Sequence, residues 1–158
     1  MGSYRLRCLQ CGRFVNDPYR LRCGDHTGLL RPEYATRSLD IKKAKSVFKF
    51  YDWLPISSTA DSNAAPVVFR NERLNKELGL KDMWVAFTGY YPERGAFVRS
   101  CSFKEMESLP TMVRIRDKRK GTIVVASAGN TGRAFAQTSN DLGMNSVIIV
   151  PERSADRI

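Results

Sequence analysis

Histidine is nearly absent: among 158 residues there is one, His26. General-base roles elsewhere in the chain must therefore use Lys, Asp, Glu or Tyr. No apolar run approaches a membrane span. The first residues, Met-Gly-Ser-Tyr-Arg, carry no apolar signal region, so the expectation is a cytoplasmic protein. Acids are few, 16 against 26 Lys and Arg, which leaves a net charge of +10. That imbalance favours anionic partners: phosphorylated metabolites, sulfur oxyanions, nucleic acid or acidic proteins. Four cysteines without a secretion signal suggest metal ligands or free thiols before disulfides. The hydrophobic fraction, 42%, is enough for a globular core.

The most informative stretch runs from Thr122 to Ala136. Ile123-Val-Val-Ala126 is a short β-branched run that reads as a buried strand. Asn130-Thr-Gly132 then opens a helical spacing in which Ala134, Phe135, Thr138 and Leu142 share a face, with Gly143 at the expected helix end. A second apolar run, Ser146 to Val150, closes at Pro151. Strand, helix and strand at this spacing predict a βαβ unit with a parallel pair. In the turn, Gly129 and Gly132 would let backbone N–H groups approach a ligand, and the helix start would favour an anion. Ser127, Asn130 and Thr131 add polar side chains. An ordinary, well-capped strand-to-helix connection accounts for the same spacing equally well.

Nearer the N-terminus, Cys8-Leu-Gln-Cys11 and Cys23-Gly-Asp-His26 form two knuckles that could bring four ligands around one zinc ion. Gly12 and Gly24 suit the knuckle turns. Residues 35–65 form an arm or linker whose segment Leu39 to Trp53 is basic and aromatic. It either packs its rings on the body or stacks on nucleic acid. Pro66 to Phe69 reads as a strand, Asn71 as the cap of a helix over 72–78 ended by Gly79, and Asp82 to Phe87 as the next strand. Thr88 to Gly95 reads as a loop.

Ser100 or Ser102 would cap a helix starting near Lys104, with Glu105 and Glu107 in its first turn. The positive helix end should lower the pKa of Lys104, as an amine nucleophile requires; a solvated lysine is the plainer reading. The basic run from Arg114 to Lys120 reads as a solvated helix end or linker.

Ser102-Phe-Lys104 followed by Ser127-Ala-Gly-Asn-Thr-Gly132 resembles the threonine synthase branch of the fold-type II pyridoxal-phosphate enzymes, over nearly the whole chain. The knuckles are similar to the zinc-ribbon-like start of such sequences, with His26 where a cysteine is usual. Ala65-Pro-Val-Val68 resembles the family's Thr-Pro-Leu-Val strand. The lysine segment, Ser100-Cys-Ser-Phe-Lys-Glu-Met106 after Arg94-Gly-Ala-Phe-Val-Arg99, departs from the usual Thr-Gly-Ser-Phe-Lys-Asp-Arg. It looks like that of the cysteate synthases, which serve coenzyme M biosynthesis in methanogens.

The resemblance implies an α/β fold of the tryptophan synthase β type, incomplete here, with an N-terminal zinc-ribbon-like arm. Its parts would be residues 1–34 (ribbon), 35–65 (arm), 66–120 (start of the large domain) and 121–158 (start of the small mobile domain). It implies pyridoxal 5′-phosphate as cofactor, possible structural zinc on Cys8, Cys11, Cys23 and His26, and β-replacement of phosphate by sulfite on O-phospho-L-serine to give L-cysteate. Lys104 would form the Schiff base and shuttle the α-proton, and Asn130 would bond the cofactor's 3′-oxygen. Ser127, Ala128, Gly129 and Thr131 would hold the substrate carboxylate. Arg94 and Arg99 are the nearest extra cations for sulfite or phosphate. The full-length form is expected to be a homo-oligomer. The family's glycine-rich loop for the cofactor phosphate does not occur by residue 158, so this chain is expected to be a fragment, inactive alone. The alternatives are a threonine synthase or cysteine synthase-type enzyme, a non-catalytic paralogue acting with a longer partner, and a basic zinc-ribbon nucleic-acid module. The last leaves residues 96–136 unexplained.

Overall fold

In Tyr4-Arg-Leu-Arg-Cys8 the arginines alternate with less polar residues, the period of a half-covered strand. The computed structural model, which describes residues 4–118 and 121–157, has this strand as β1 (Tyr4–Cys8), with Leu6 and Cys8 buried and Arg5 and Arg7 outward. It pairs antiparallel with β2 (Phe14–Val15) and β3 (Leu30–Tyr34) in the order β2-β1-β3. Arg119 and Lys120, the end of the basic run at which a domain boundary is expected, lie outside the described residues.

The arm supplies much of the core. Ser46 caps a 3-10 helix, Val47–Trp53, by accepting the Phe48 N–H. Val47 and Phe48 are buried with Ile56, Ala64, Leu109 and Val113. Phe50, Tyr51 and Leu54 pack against that cluster. The rings thus face the body or, for Trp53, the Tyr34 ring 5.6 Å away. Lys42 is bound by Asp40 and Asp52. This packing disfavours the nucleic-acid reading, because base stacking needs open ring faces.

Next, β4 (Val67–Arg70) and β5 (Trp84–Phe87) pair antiparallel, joined through α1 (Glu72–Glu77). Asn71 Oδ1 accepts the Leu74 N–H at 3.0 Å, and Gly79 ends the helix at φ 65°. The expected loop over 88–95 is partly ordered as a hairpin: β6 (Tyr90–Tyr91) pairs with β7 (Ala96–Phe97) across a turn in which Gly95 takes φ 73°. Glycine takes that left-handed conformation without steric cost.

Helix α2 (Glu105–Lys118) runs into β8 (Ile123–Ala126), α3 (Asn130–Asp141) and β9 (Ser146–Ile149). β8 and β9 are parallel, Ile123 opposite Ser146 through Ala126 opposite Ile149. Gly143 follows α3 at φ 62°. Ala134, Phe135 and Thr138 are buried, as the helical spacing requires. The strands are not buried on both faces, however. Val124, Val147 and Ile149 are 62%, 48% and 54% exposed, because one helix covers one face of a two-stranded sheet. The architecture is α/β, and among the described residues no helix is long and apolar enough to cross a membrane.

Candidate functional site

The loop before α2 holds Lys104 by its backbone. Cys101 takes φ 53°, the one non-glycine residue with positive φ among the described residues. Ser102 is the cap: its Oγ accepts the Lys104 N–H at 3.2 Å. Ser100 plays the reciprocal part, donating its N–H to Glu105 Oε2 at 2.7 Å, with Glu105 only 3% exposed. A carboxylate early in a helix that reaches back to a preceding N–H resembles a capping box. The Lys104 amine is not left alone with the helix end. It lies 2.5 Å from Glu107 Oε2 and 5.5 Å from the Phe103 ring centroid.

The second feature is the turn between β8 and α3. Ser127 Oγ accepts the N–H groups of Gly129, at 3.3 Å, and Gly132, at 3.0 Å. Its own proton is therefore free to be donated outward. Among the described residues, the N–H groups of Ala128, Asn130 and Thr131 form no hydrogen bond to a protein acceptor. They stand where a helix start offers unpaired donors.

The two glycines differ in purpose. A Cβ on Gly129 would meet nothing within 4 Å, so that position faces open space. A Cβ on Gly132 would lie 2.5 Å from the Ser127 carbonyl oxygen and 3.1 Å from Ile148 Cγ2. Gly132 is thus a glycine for helix-on-strand packing, and the expectation that it opens the turn to a ligand is corrected.

Lys104 and Asn130 are related through one helix crossing. Ser108 Oγ lies 2.6 Å from Thr138 Oγ1 and donates to Ala134 O at 3.2 Å. Lys104 is four residues before Ser108, and Asn130 four before Ala134, so each stands one turn, about 6 Å, from that contact. Among the described residues no hydrogen bond joins their side chains. A polar cleft of about 410 Å³ opens beside the start of α2, lined by Asn63, Tyr90, Arg99, Glu105 and Asp141 among others. Arg99 is bound to Asp141 there at 3.0 Å, whereas Arg94 lies over the Phe69 ring.

The third feature is the knuckle pair. The ligand atoms of Cys8, Cys11, Cys23 and His26 all lie within 4.8 Å of one another, a group that could hold a metal ion. Cys11 Sγ and Cys23 Sγ are 4.0 Å apart, and Cys8 Sγ is 3.8 Å from His26 Nε2. A tetrahedron with zinc–sulfur bonds of about 2.3 Å has edges of about 3.8 Å, so the spacing fits. The Gln10 N–H points at Cys8 Sγ at 3.3 Å. The Arg13 backbone N–H and guanidinium hold the Cys11 thiol down to about 6. Gly12 has the left-handed turn, φ 73°. Gly24 does not, and the glycine that the cluster itself requires is Gly28, just after the second knuckle, where a Cβ would lie 2.7 Å from Cys8 Sγ and the His26 ring.

The sequence reading placed Glu107 in the first turn of α2 but did not pair it with Lys104, although a Lys–Glu pair three residues apart was the available signal. It placed Thr138 on the covered face of α3, and nothing local marked Ser108 as its partner. The basic run is only partly solvated: Arg114 donates to Pro18 O and lies over the Tyr4 and Tyr19 rings, tying the ribbon to α2. Arg116 bonds Ser58 Oγ and Thr59 O of the arm.

Along its whole length the chain is similar to curated cysteate synthases. It is 50% identical over 159 residues to that of Methanocorpusculum labreanum, 46% over 159 to that of Methanospirillum hungatei and 41% over 158 to that of Methanosarcina barkeri. Each alignment takes in 100% of this chain but only 39%, 38% and 38% of the relative, in that order. The chain thus spans about two fifths of the length of the curated relatives it matches. No family model matches it, and no solved structure matches it.

Proposed function

We propose that this chain carries the amine and the carboxylate cradle of a pyridoxal 5′-phosphate-dependent enzyme converting O-phospho-L-serine and sulfite to L-cysteate and phosphate. The observation that carries the reading is the similarity of the whole of this chain to about two fifths of curated cysteate synthases. The fold assigned is fold-type II, with residues 1–34 as ribbon, 35–65 as arm, and 66–120 and 121–158 as the openings of a larger and a smaller domain.

The residues present fit the part of the cofactor they would meet. Lys104 is a primary amine, its side chain 31% exposed on a fixed loop. Gly129 leaves the turn open above the free N–H groups of α3. When bound, the cofactor supplies the electron sink for charge developing at the substrate α-carbon. The protein supplies position and proton handling. Lys104 Nζ would hold the cofactor's aldehyde carbon and, when free, would move the α-proton. The Asn130 amide would hydrogen-bond the cofactor's ring oxygen. The Ser127 hydroxyl and the N–H groups of Ala128, Asn130 and Thr131 receive the substrate carboxylate, with Gly129 giving it room, and the positive end of α3 supports them. Of the two extra arginines, Arg99 lines the cleft at the start of α2 but is paired with Asp141, whereas Arg94 lies over the Phe69 ring. Cys8, Cys11, Cys23 and His26 would hold a zinc ion, which would serve as a structural tie for the ribbon. The net charge of +10 suits both anionic substrates.

The test is trapping with pyridoxal 5′-phosphate and borohydride, followed by peptide mapping. The expected result is preferential modification at Lys104, lost in Lys104→Ala. Modification spread over the exposed lysines without preference would overturn the reading. In a chain as long as the relatives, phosphate release from O-phosphoserine with sulfite, compared with sulfide or water, separates cysteate formation from cysteine synthase- or threonine synthase-type chemistry.

A further inference from the structure

We infer that Glu107 is the positioning residue that sets when the Lys104 amine is available; the inference rests on Lys104 being the aldehyde-capturing group proposed above. Lys104 Nζ lies 2.5 Å from Glu107 Oε2, and the same nitrogen lies 5.5 Å from the Phe103 ring centroid. A carboxylate and a ring face both favour a cation at that point. The positive end of α2 opposes it. In this arrangement Nζ is held on the Glu107 carboxylate, and the lysine side chain has to leave it before the nitrogen can reach a carbonyl.

The backbone does not have to move for release. Ser102 Oγ holds the Lys104 N–H, and Glu105 holds the Ser100 N–H. Only the lysine side chain has to turn away from Glu107. Side-chain exposures of 31% and 52% make this a pair that biases the amine without locking it. Capture then balances simply. One proton passes from Nζ to solvent and the neutral nitrogen bonds to the aldehyde carbon. The carbonyl oxygen leaves as water with the two remaining N–H hydrogens, and a C=N bond remains.

The test uses formaldehyde with cyanoborohydride at neutral pH, in limiting amount, on the 158-residue chain. Mass spectrometry gives the ratio of methylation at Lys104 to that at Lys81, which forms no ion pair among the described residues. Glu107→Gln is expected to raise the ratio about threefold, the scale of an exposed ion pair. Raising salt from about 0.02 to about 0.5 M should raise it in the wild type and leave the variant flat, because salt screens exposed charges. Glu107→Asp, which keeps the charge, should stay near the wild type. An unchanged or lower ratio in Glu107→Gln overturns the inference. Should that variant not fold, a ratio independent of salt in the wild type overturns it instead. Repeating the series with pyridoxal 5′-phosphate separates the two readings. Capture at Lys104 that is equal in both proteins sinks the role of Glu107 alone. A formaldehyde effect with no cofactor capture at Lys104 in either protein sinks the functional reading.

Discussion

Ser108 Oγ and Thr138 Oγ1 meet at 2.6 Å where α2 packs on α3, and the two residues are 0% and 2% exposed. Neither hydroxyl belongs to a site, yet the contact fixes how the helix that follows Lys104 sits on the helix that begins at Asn130. Small side chains permit the close approach, and the hydrogen bond satisfies two polar atoms that burial would otherwise penalise.

Ser108→Ala should therefore destabilise the chain by about 1–3 kcal/mol, since it leaves the buried Thr138 hydroxyl without its partner, and Thr138→Val should cost less, since Ser108 Oγ keeps Ala134 O. The double variant should lose less than the sum of the two. Urea unfolding of all four proteins gives the coupling directly, and strict additivity would show the contact to be energetically idle.

Two glycines in one turn should separate cleanly. Gly132→Ala forces a Cβ against the Ser127 carbonyl and should cost about 1–3 kcal/mol. Gly129→Ala meets no atom and has φ −130°, so its stability should be nearly unchanged. Thermal unfolding distinguishes them. The proposed carboxylate cradle predicts the opposite order of directness for ligands, with Gly129→Ala weakening amino-acid binding in a folded protein.

The knuckle cluster should bind one divalent metal per chain. Cobalt(II) is expected to give thiolate charge-transfer bands and tetrahedral visible bands, both displaced by zinc. Chelation should lower the melting temperature, since metal binding is linked to folding. His26→Ala should weaken binding and change the visible spectrum, whereas Cys101→Ser, outside the cluster, should do neither.

Glu33 offers a test in pH. The Arg7 guanidinium, donating at 3.1 Å, holds its carboxyl below the ordinary carboxylate value. Its contribution to folding is then present above the unfolded-state pKa and is lost as pH falls through the lower folded value. Carboxyl titration by NMR should show the depressed value, and Arg7→Gln should return it toward normal.

Local chemistry was legible in the chain itself. The Asn71 cap, the left-handed Gly79 and Gly143, and the strand–helix–strand spacing around Ser127 all depend on groups within a turn or two of one another. The Cys/His spacing likewise announced a four-ligand group. The pairing of β6 with β7 was not legible, because Tyr90-Tyr91 is too short for a period to show.

What the residues settled unaided was the presence of the capped helix after Asn71, the strand–helix–strand unit around Ser127 and the four-residue Cys/His group. Capping, backbone φ and apolar period act over a few bonds, so they are written in order along the chain. Tertiary packing alone decided that Ser108 finds Thr138, that Arg114 ties the ribbon to α2, and that Gly132 serves packing while Gly129 stays open. Those outcomes depend on which surfaces approach in space, and no short-range pattern encodes the distance between elements far apart in sequence.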